Sequence, residues 1–549
     1  MHDLVIRDAV LLDGLGSPPR RGALAVRDGR IQELGNVTLS GKQTIDAGGL
    51  ALMPGIIDNH THYDAQITWD PGVSPSPELG VTTAVIGNCG FTIAPCRAAD
   101  RERVMRNLTQ VEGMSLEVLR SAIRWDFETL PQYLDMLERQ GAALNVAVFA
   151  GHSAIRTYAM GEAATQRAAT DAEVGRMRSL VVEAMRAGAV GFSTSTSPAH
   201  NGEGGVPMPS RLARDDELRA LVGALREAGR GVFMLTKGGH TRMAFLEELA
   251  VESGRPVIVA ALFYNSTNPQ AGFSDLDAIA EANRRGRRLA GAVSCTPLAM
   301  DFTLRAPYTF EGLQSWQPAL PLQGEAFKTL LRSPRFRAAI RDEVSRPAHF
   351  RLFNGQWDQV EVVQSRRNEL EQRSIAELAR AANQDPLDFM LDLALEEDLD
   401  TVFNAMLLNW DEQGVARMLK HPASLVSLSD AGAHLTFFND AGFGLHLLGH
   451  WVRSRGVLSL PDAVRRLTSH PAQLFGIRQR GALVPGYHAD LLLFDPASVG
   501  RGPKRRVFDL PGGHARLTTP GIGVEGVWVN GVRLSGGALP GRLLRDFSQ

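Results

Sequence analysis

The feature that most constrains the fold of this chain is a succession of near-continuous apolar runs, some of them separated by segments of helical periodicity. GLALMPGIIDNHTH is followed by VTTAVIGNCG, NVAVFAGHS, GAVGFSTSTS, GVFMLTKGG, RPVIVAALFYN, RLAGAVSCTP and SLVSLSDAG. Amphipathic stretches such as DAEVGRMRSLVVEAMRAG and DDELRALVGALREAGR lie between some of them. Strands buried on both faces and joined by helices are what a covered parallel sheet requires. A (β/α)8 TIM-like barrel, an α/β fold, is the best single explanation.

Both ends of the chain read differently. LVIRDAVLL and ALAVRDGRIQEL alternate apolar and polar residues around Asp28-Gly29, and HADLLLFDP and GVWVNGVRL do so near Asn530-Gly531. Such pairs signal tight hairpins. The expected organisation is residues 1–54 as the N-terminal part of a small β-sandwich, 55–476 as the barrel, and 477–549 as the C-terminal part of the sandwich and a tail. Within the barrel, about 300–366 break the rhythm and form an insertion, either a lid or substrate-binding element or extra packing and an oligomer contact.

The 58 Lys and Arg nearly balance the 60 Asp and Glu, which argues against nucleic acid or an anionic membrane as partner. The three cysteines are too few for a disulfide framework, no apolar run is long enough to span a bilayer, and the first residues fit no signal or transit peptide. A cytoplasmic protein acting on a small molecule is expected, with a homo-oligomer possible.

His60-Thr61-His62 ends the first apolar run. Alternate residues of a strand share a face, so both imidazoles point to one place at the strand's C-terminal end, where barrel enzymes keep their active sites. That is metal-ligand geometry; the alternative is two polar histidines in a loop. Asp430 ends SLVSLSD, where it can ligate a metal and accept a proton from water, or simply cap the following turn. No Gly-x-Ser-x-Gly elbow supports acyl-serine chemistry, and the GG pairs lack the setting of a phosphate loop.

PGIIDNHTHYD, Ser429-Asp430 and HPAQLFGIRQRGALVPGYHADLLLFDP together resemble the amidohydrolase superfamily. GVTTAVIGNCG, GHSAIRTYAMG, GAVGFSTS, SIAELARAANQDPLDFMLDL and HPASLVSLSDAG narrow the resemblance to its N-acyl-D-amino-acid deacylase (D-aminoacylase) branch. The resemblance implies zinc in the barrel mouth, one ion favoured over two, and hydrolysis of an amide. It implies His60, His62 and Asp430 as metal ligands, Cys89 as a thiolate ligand, and Asp430 as general base and acid.

The departures are as informative. Deacylases carry histidines at the ends of their fourth and fifth strands, where this chain reads Met-Leu-Thr-Lys-Gly (234–238) and Ala-Leu-Phe-Tyr-Asn (261–265). Lys237 falls near a lysine that other amidohydrolases carbamylate to bridge two metals. It could do so here, contact substrate as an ammonium, or be structural. His152, His200, His240 and His434 could replace the lost ligands, His152 more readily from behind the site. The deacylases' carboxylate clamp also looks altered, with Lys237, Arg242, Ser195 and Thr196 as candidate replacements.

The expected function is metal-dependent hydrolysis of an amide C–N bond in an N-acyl amino acid or related small amide. Two alternatives stay open: a cyclic-amide hydrolase using Lys237, and a barrel that has lost its metal and serves as a binding scaffold.

Overall fold

The computed structural model describes residues 1–35, 41–348 and 351–548. Eight parallel strands follow one another in sheet order: β1 (Ile56–Asp58), β2 (Val81–Ile86), β3 (Asn145–Gly151), β4 (Gly191–Ser195), β5 (Val232–Thr236), β6 (Val257–Leu262), β7 (Leu289–Val293) and β8 (Ser424–Val426). Nearly every residue in them is buried, which explains why the runs are apolar without alternation. The ring closes just beyond the ends of β1 and β8. Thr61 and Ala431 form a parallel bridge, Asp430 N donates to His60 O at 3.2 Å, and His62 N donates to Ala431 O at 2.8 Å.

Helices cover the outside, among them α1 (Asp171–Ala187), α2 (Asp215–Ala228) and α3 (Gln270–Arg284). The start of α1 is fixed by its sequence: the Thr170 hydroxyl accepts from Glu173 N, and the Glu173 carboxylate accepts from Thr170 N at 2.8 Å. This reciprocal cap satisfies two amides the helix cannot pair internally. Gly188, at φ 109°, ends it.

Between β7 and β8 the chain leaves the barrel for longer than the sequence suggested. Residues 298–408 contain a three-stranded antiparallel sheet (Leu298–Phe302, Val402–Leu408, Val360–Gln364) and several helices, including α4 (Pro334–Val344). They surround a separate apolar cluster with Phe302, Phe310, Trp316, Phe353 and Phe403. The stretch 300–366 is the first part of this unit. Its second part reads as ordinary amphipathic helix and so merges with the barrel rhythm.

The two ends of the chain meet in one mixed eight-stranded sheet with its own cluster around Leu24, Leu52, Leu491 and Trp528. Asp28-Gly29 and Asn530-Gly531 are two-residue turns in which both φ angles are positive, at 52° and 71° and at 50° and 81°. Residues 542–544 then run along the start of β3, where Val146 N donates to Arg542 O and Leu544 N to Val146 O. The terminal segments thus brace the barrel at the end opposite the C-terminal ends of its strands. No described helix is long and apolar enough to cross a membrane.

Candidate metal centre

At the C-terminal mouth of the barrel, His60 and His62 follow β1, Cys89 follows β2 and Asp430 follows β8. Alternation about Thr61 sends both imidazoles inward, while Thr61 turns its hydroxyl to Val85 O at 2.8 Å. Asp430 Oδ1 lies 3.2 Å from His60 Nε2 and 3.6 Å from His62 Nε2. Cys89 Sγ lies 3.5 Å from the first and 4.0 Å from the second. The ligand atoms of His60, His62 and Cys89 all fall within 4.8 Å of one another.

The backbone is distorted to bring these groups together. Cys89, Leu428, Asp430 and His434 all take positive φ, between 47° and 68°, a conformation that side chains disfavour and that concentrates at functional sites. Glycines permit the accompanying close approaches. A Cβ on Gly90 would sit 3.0 Å from Ser193 O, and one on Gly432, at φ 92°, would sit 2.7 Å from the carbonyl carbon of His62.

Burial sets the charge states. It pushes His60 down to about 4, against the pull of Asp430. His434 falls to about 4 and His200 to about 3 for the same first reason, so all three are neutral at pH 7 with lone pairs available. Burial opposes ionisation of Asp430, but His60, His62 and His434 outweigh it and hold the carboxylate below its usual range. Burial pushes the Cys89 thiol up, partly offset by its hydrogen bond with His62.

The donors open into a cavity of about 630 Å³. Its other walls are largely apolar: Phe91, Phe263 and Leu428 from the barrel, Phe438 from the loop after β8, and Leu298, Met300, Tyr308 and Leu352 from the inserted unit. His200 and His434 line it too. His200 packs edge-on against Phe91, its Nδ1 2.6 Å from Ser195 Oγ. His434 is surrounded by Tyr308, Phe437 and Phe438, and its buried Nδ1 has no hydrogen-bond partner among the described residues.

Other residues singled out from the sequence lie elsewhere. Counted along the barrel, Met234–Gly238 ends the fifth strand and Ala261–Asn265 the sixth, which corrects the assignment to the fourth and fifth. Thr236 points inward, 3.1 Å from Cys89 Sγ. Lys237, next in the alternation, turns out toward α3 and pairs with Asp275 at 3.1 Å, so it does not line the metal cavity. His152 lies behind β4, between Thr194 Oγ1 at 2.7 Å and Glu217 at 2.8 Å, in a buried cluster with Arg156. Ser195 reaches the cavity only through His200. Thr196 bonds Thr241 at 2.7 Å, and Arg242 and His240 are exposed. The insertion about 300–366, read from the sequence as a lid or substrate-binding element or as extra packing, supplies cavity walls, although the sequence does not single out Met300, Tyr308 and Leu352.

A closed parallel barrel thus carries two histidines, a thiol and a carboxylate at its mouth, donors of the kind that suit a divalent metal. The model of the amidohydrolase family matches residues 43–304 and 348–534, and the chain belongs to that family, in its D-aminoacylase branch. It is 31% identical over 551 residues to an N-acyl-D-aspartate deacylase of Alcaligenes xylosoxydans xylosoxydans, covering 99% of this chain and 95% of that protein. A D-aminoacylase of the same organism is 29% identical, over 96% of this chain and 93% of that one. Among solved structures, N-acyl-D-glutamate deacylase from Bordetella bronchiseptica, complexed with zinc and a phosphonate inhibitor, superposes with a TM-score of 0.68. It is 26% identical and covers 99% of this chain and 100% of that one.

Proposed function

We propose that the chain hydrolyses the acyl–nitrogen bond of an N-acyl amino acid, using one zinc ion held by His60, His62, Cys89 and Asp430. The observation that carries this reading is the approach of the other two donors to the imidazoles: Asp430 Oδ1 lies 3.2 and 3.6 Å, and Cys89 Sγ 3.5 and 4.0 Å, from Nε2 of His60 and His62. Donors arranged tetrahedrally around zinc at ordinary bond lengths stand about 3.3–3.6 Å apart. The donor chemistry fits as well: a neutral buried imidazole, an ionised carboxylate, and a thiol that a cation would deprotonate. One ion is favoured because Met-Leu-Thr-Lys-Gly (234–238) and Ala-Leu-Phe-Tyr-Asn (261–265) offer no histidine for a second.

The bound cation supplies Lewis acidity toward the amide carbonyl and a water acidic enough to attack it at neutral pH. Asp430 stays ionised beside the histidines, so it can take the proton of the attacking water and deliver it to the departing nitrogen. His200 and His434, neutral and facing the same cavity, offer hydrogen bonds to the carbonyl oxygen as charge develops on it. The apolar walls exclude bulk water, which strengthens each of these interactions. The cyclic-amide alternative loses its support, because Lys237 is turned away from the donors and held by Asp275.

The test is amine release from a panel of N-acetyl D- and L-amino acids, with zinc content measured after dialysis. About one zinc per chain and turnover of at least one panel member are expected, both lost in His62→Ala. Full activity in His62→Ala would contradict the reading.

A further inference from the structure

The metal cavity has a neighbour. A second cavity of about 440 Å³ shares Ala261 and Phe263 with it and is otherwise lined by Lys237, Leu262, Asn265, Asp275, Arg351 and a few small or apolar residues. Among the described residues that line the metal cavity there is no lysine or arginine. The second cavity has both.

Its polar groups are chiefly donors. Arg351 is 9% exposed, and its guanidinium donates to three main-chain oxygens near the end of α4: Glu343 O at 2.8 Å, Arg346 O at 2.9 Å and Val344 O at 3.4 Å. Among the described residues no carboxylate lies within ion-pair distance of it and its Nε has no hydrogen-bond partner. A buried cation hydrogen-bonded to carbonyl dipoles, with Glu343 as a charged neighbour beyond ion-pair distance, gains from an anion brought alongside. Asn265 is oriented by Thr267, whose N and Oγ1 both donate to Asn265 Oδ1, at 3.0 and 2.8 Å. That leaves the amide nitrogen to donate. Lys237 and Asp275 form an ion pair, so among the described lining residues Arg351 is the remaining cation.

We infer that this second cavity is a carboxylate site, in which Arg351 and Asn265, backed by Lys237, hold the carboxylate of a substrate whose acyl carbonyl lies in the metal cavity. The inference rests on the N-acyl amino acid reading and specifies it. The substrate bridges two chambers past Ala261 and Phe263, its charge in one and its scissile bond in the other. Arg351 and Asn265 act on binding and leave the chemical step to the metal site.

The test uses binding, so that it does not depend on turnover. Calorimetric titration of the zinc-loaded protein with 4-methylpentanoate and with its carboxamide compares one apolar tail with and without the charge. The carboxylate is expected to bind at least tenfold more tightly. Arg351→Met is expected to abolish the difference. Because Arg351 also ties down the end of α4, Asn265→Asp provides a second variant: it keeps the acceptor for Thr267 and places a negative charge in the cavity. It too is expected to remove the preference. Equal binding by the wild type, or a carboxylate preference that survives in both variants, as direct binding to zinc would give, overturns the inference. Failure of the amine-release panel with this binding pattern intact would instead count against the hydrolase reading alone.

Discussion

Asp430 is asked to do two things at once, and its surroundings show how. Its carboxylate is partly buried, a setting that favours the neutral acid, yet the neighbouring His60, His62 and His434 hold it below the usual carboxylate range. Replacement by asparagine keeps the shape and removes the base, so Asp430→Asn should lower kcat by about 10²–10⁴-fold while the far-ultraviolet circular dichroism stays unchanged. A loss of less than tenfold would assign the proton transfer to another group. At this scale the sequence was most informative where one local rule sufficed. His60 and His62 were readable because two residues of a strand repeat a face. The same rule, applied to Thr236 and Lys237, would have turned the threonine inward and the lysine out. His152 and His200 could not be told apart that way: one is enclosed by Glu217 and the other by the cavity, and only tertiary packing decides which.

Among the elements, the seam between β1 and β8 bears directly on the site. The strands close the barrel through the same residues that supply ligands, so the position of Asp430 relative to His60 depends on how closely the two loops approach. Gly432 sets that approach, at a φ of 92° and with no room for a Cβ against His62. Gly432→Ala should cost about 2 kcal/mol or more in stability and weaken zinc retention, as read by chemical denaturation and by zinc content after dialysis. Unchanged stability and zinc would mean the seam is not under constraint. Barrel strands and hairpin turns were legible because they follow from burial and backbone geometry. The inserted unit was only half legible. Its helices look like any others, and nothing in Met300, Tyr308 or Leu352 announces that they wall a cavity built by strands far away in sequence.

For the molecule as a whole, buried and partly buried histidines govern the response to acid. Burial holds His446 at about 3 and His470 and His488 at about 4, below the ordinary 6.5. Between those values and 6.5 the unfolded chain binds protons that the folded chain does not. Each histidine therefore contributes stability that is complete above pH 6.5 and is lost as the pH falls. His60, His152, His200 and His434 are shifted in the same direction. Asp58 and Asp64, raised to about 7 by burial, act in the opposite sense but are fewer. The melting temperature should fall by several degrees between pH 7.5 and pH 5; a rise over that interval would contradict these shifts.

X-ray absorption at the zinc edge of the dialysed protein reads the coordination shell itself. One zinc per chain is expected, with nitrogen and oxygen neighbours at about 2.0–2.1 Å and a single sulfur at about 2.3 Å that disappears in Cys89→Ser. A shell without imidazole or sulfur, or zinc that dialyses away, would contradict the convergence of His60, His62, Cys89 and Asp430 on one ion.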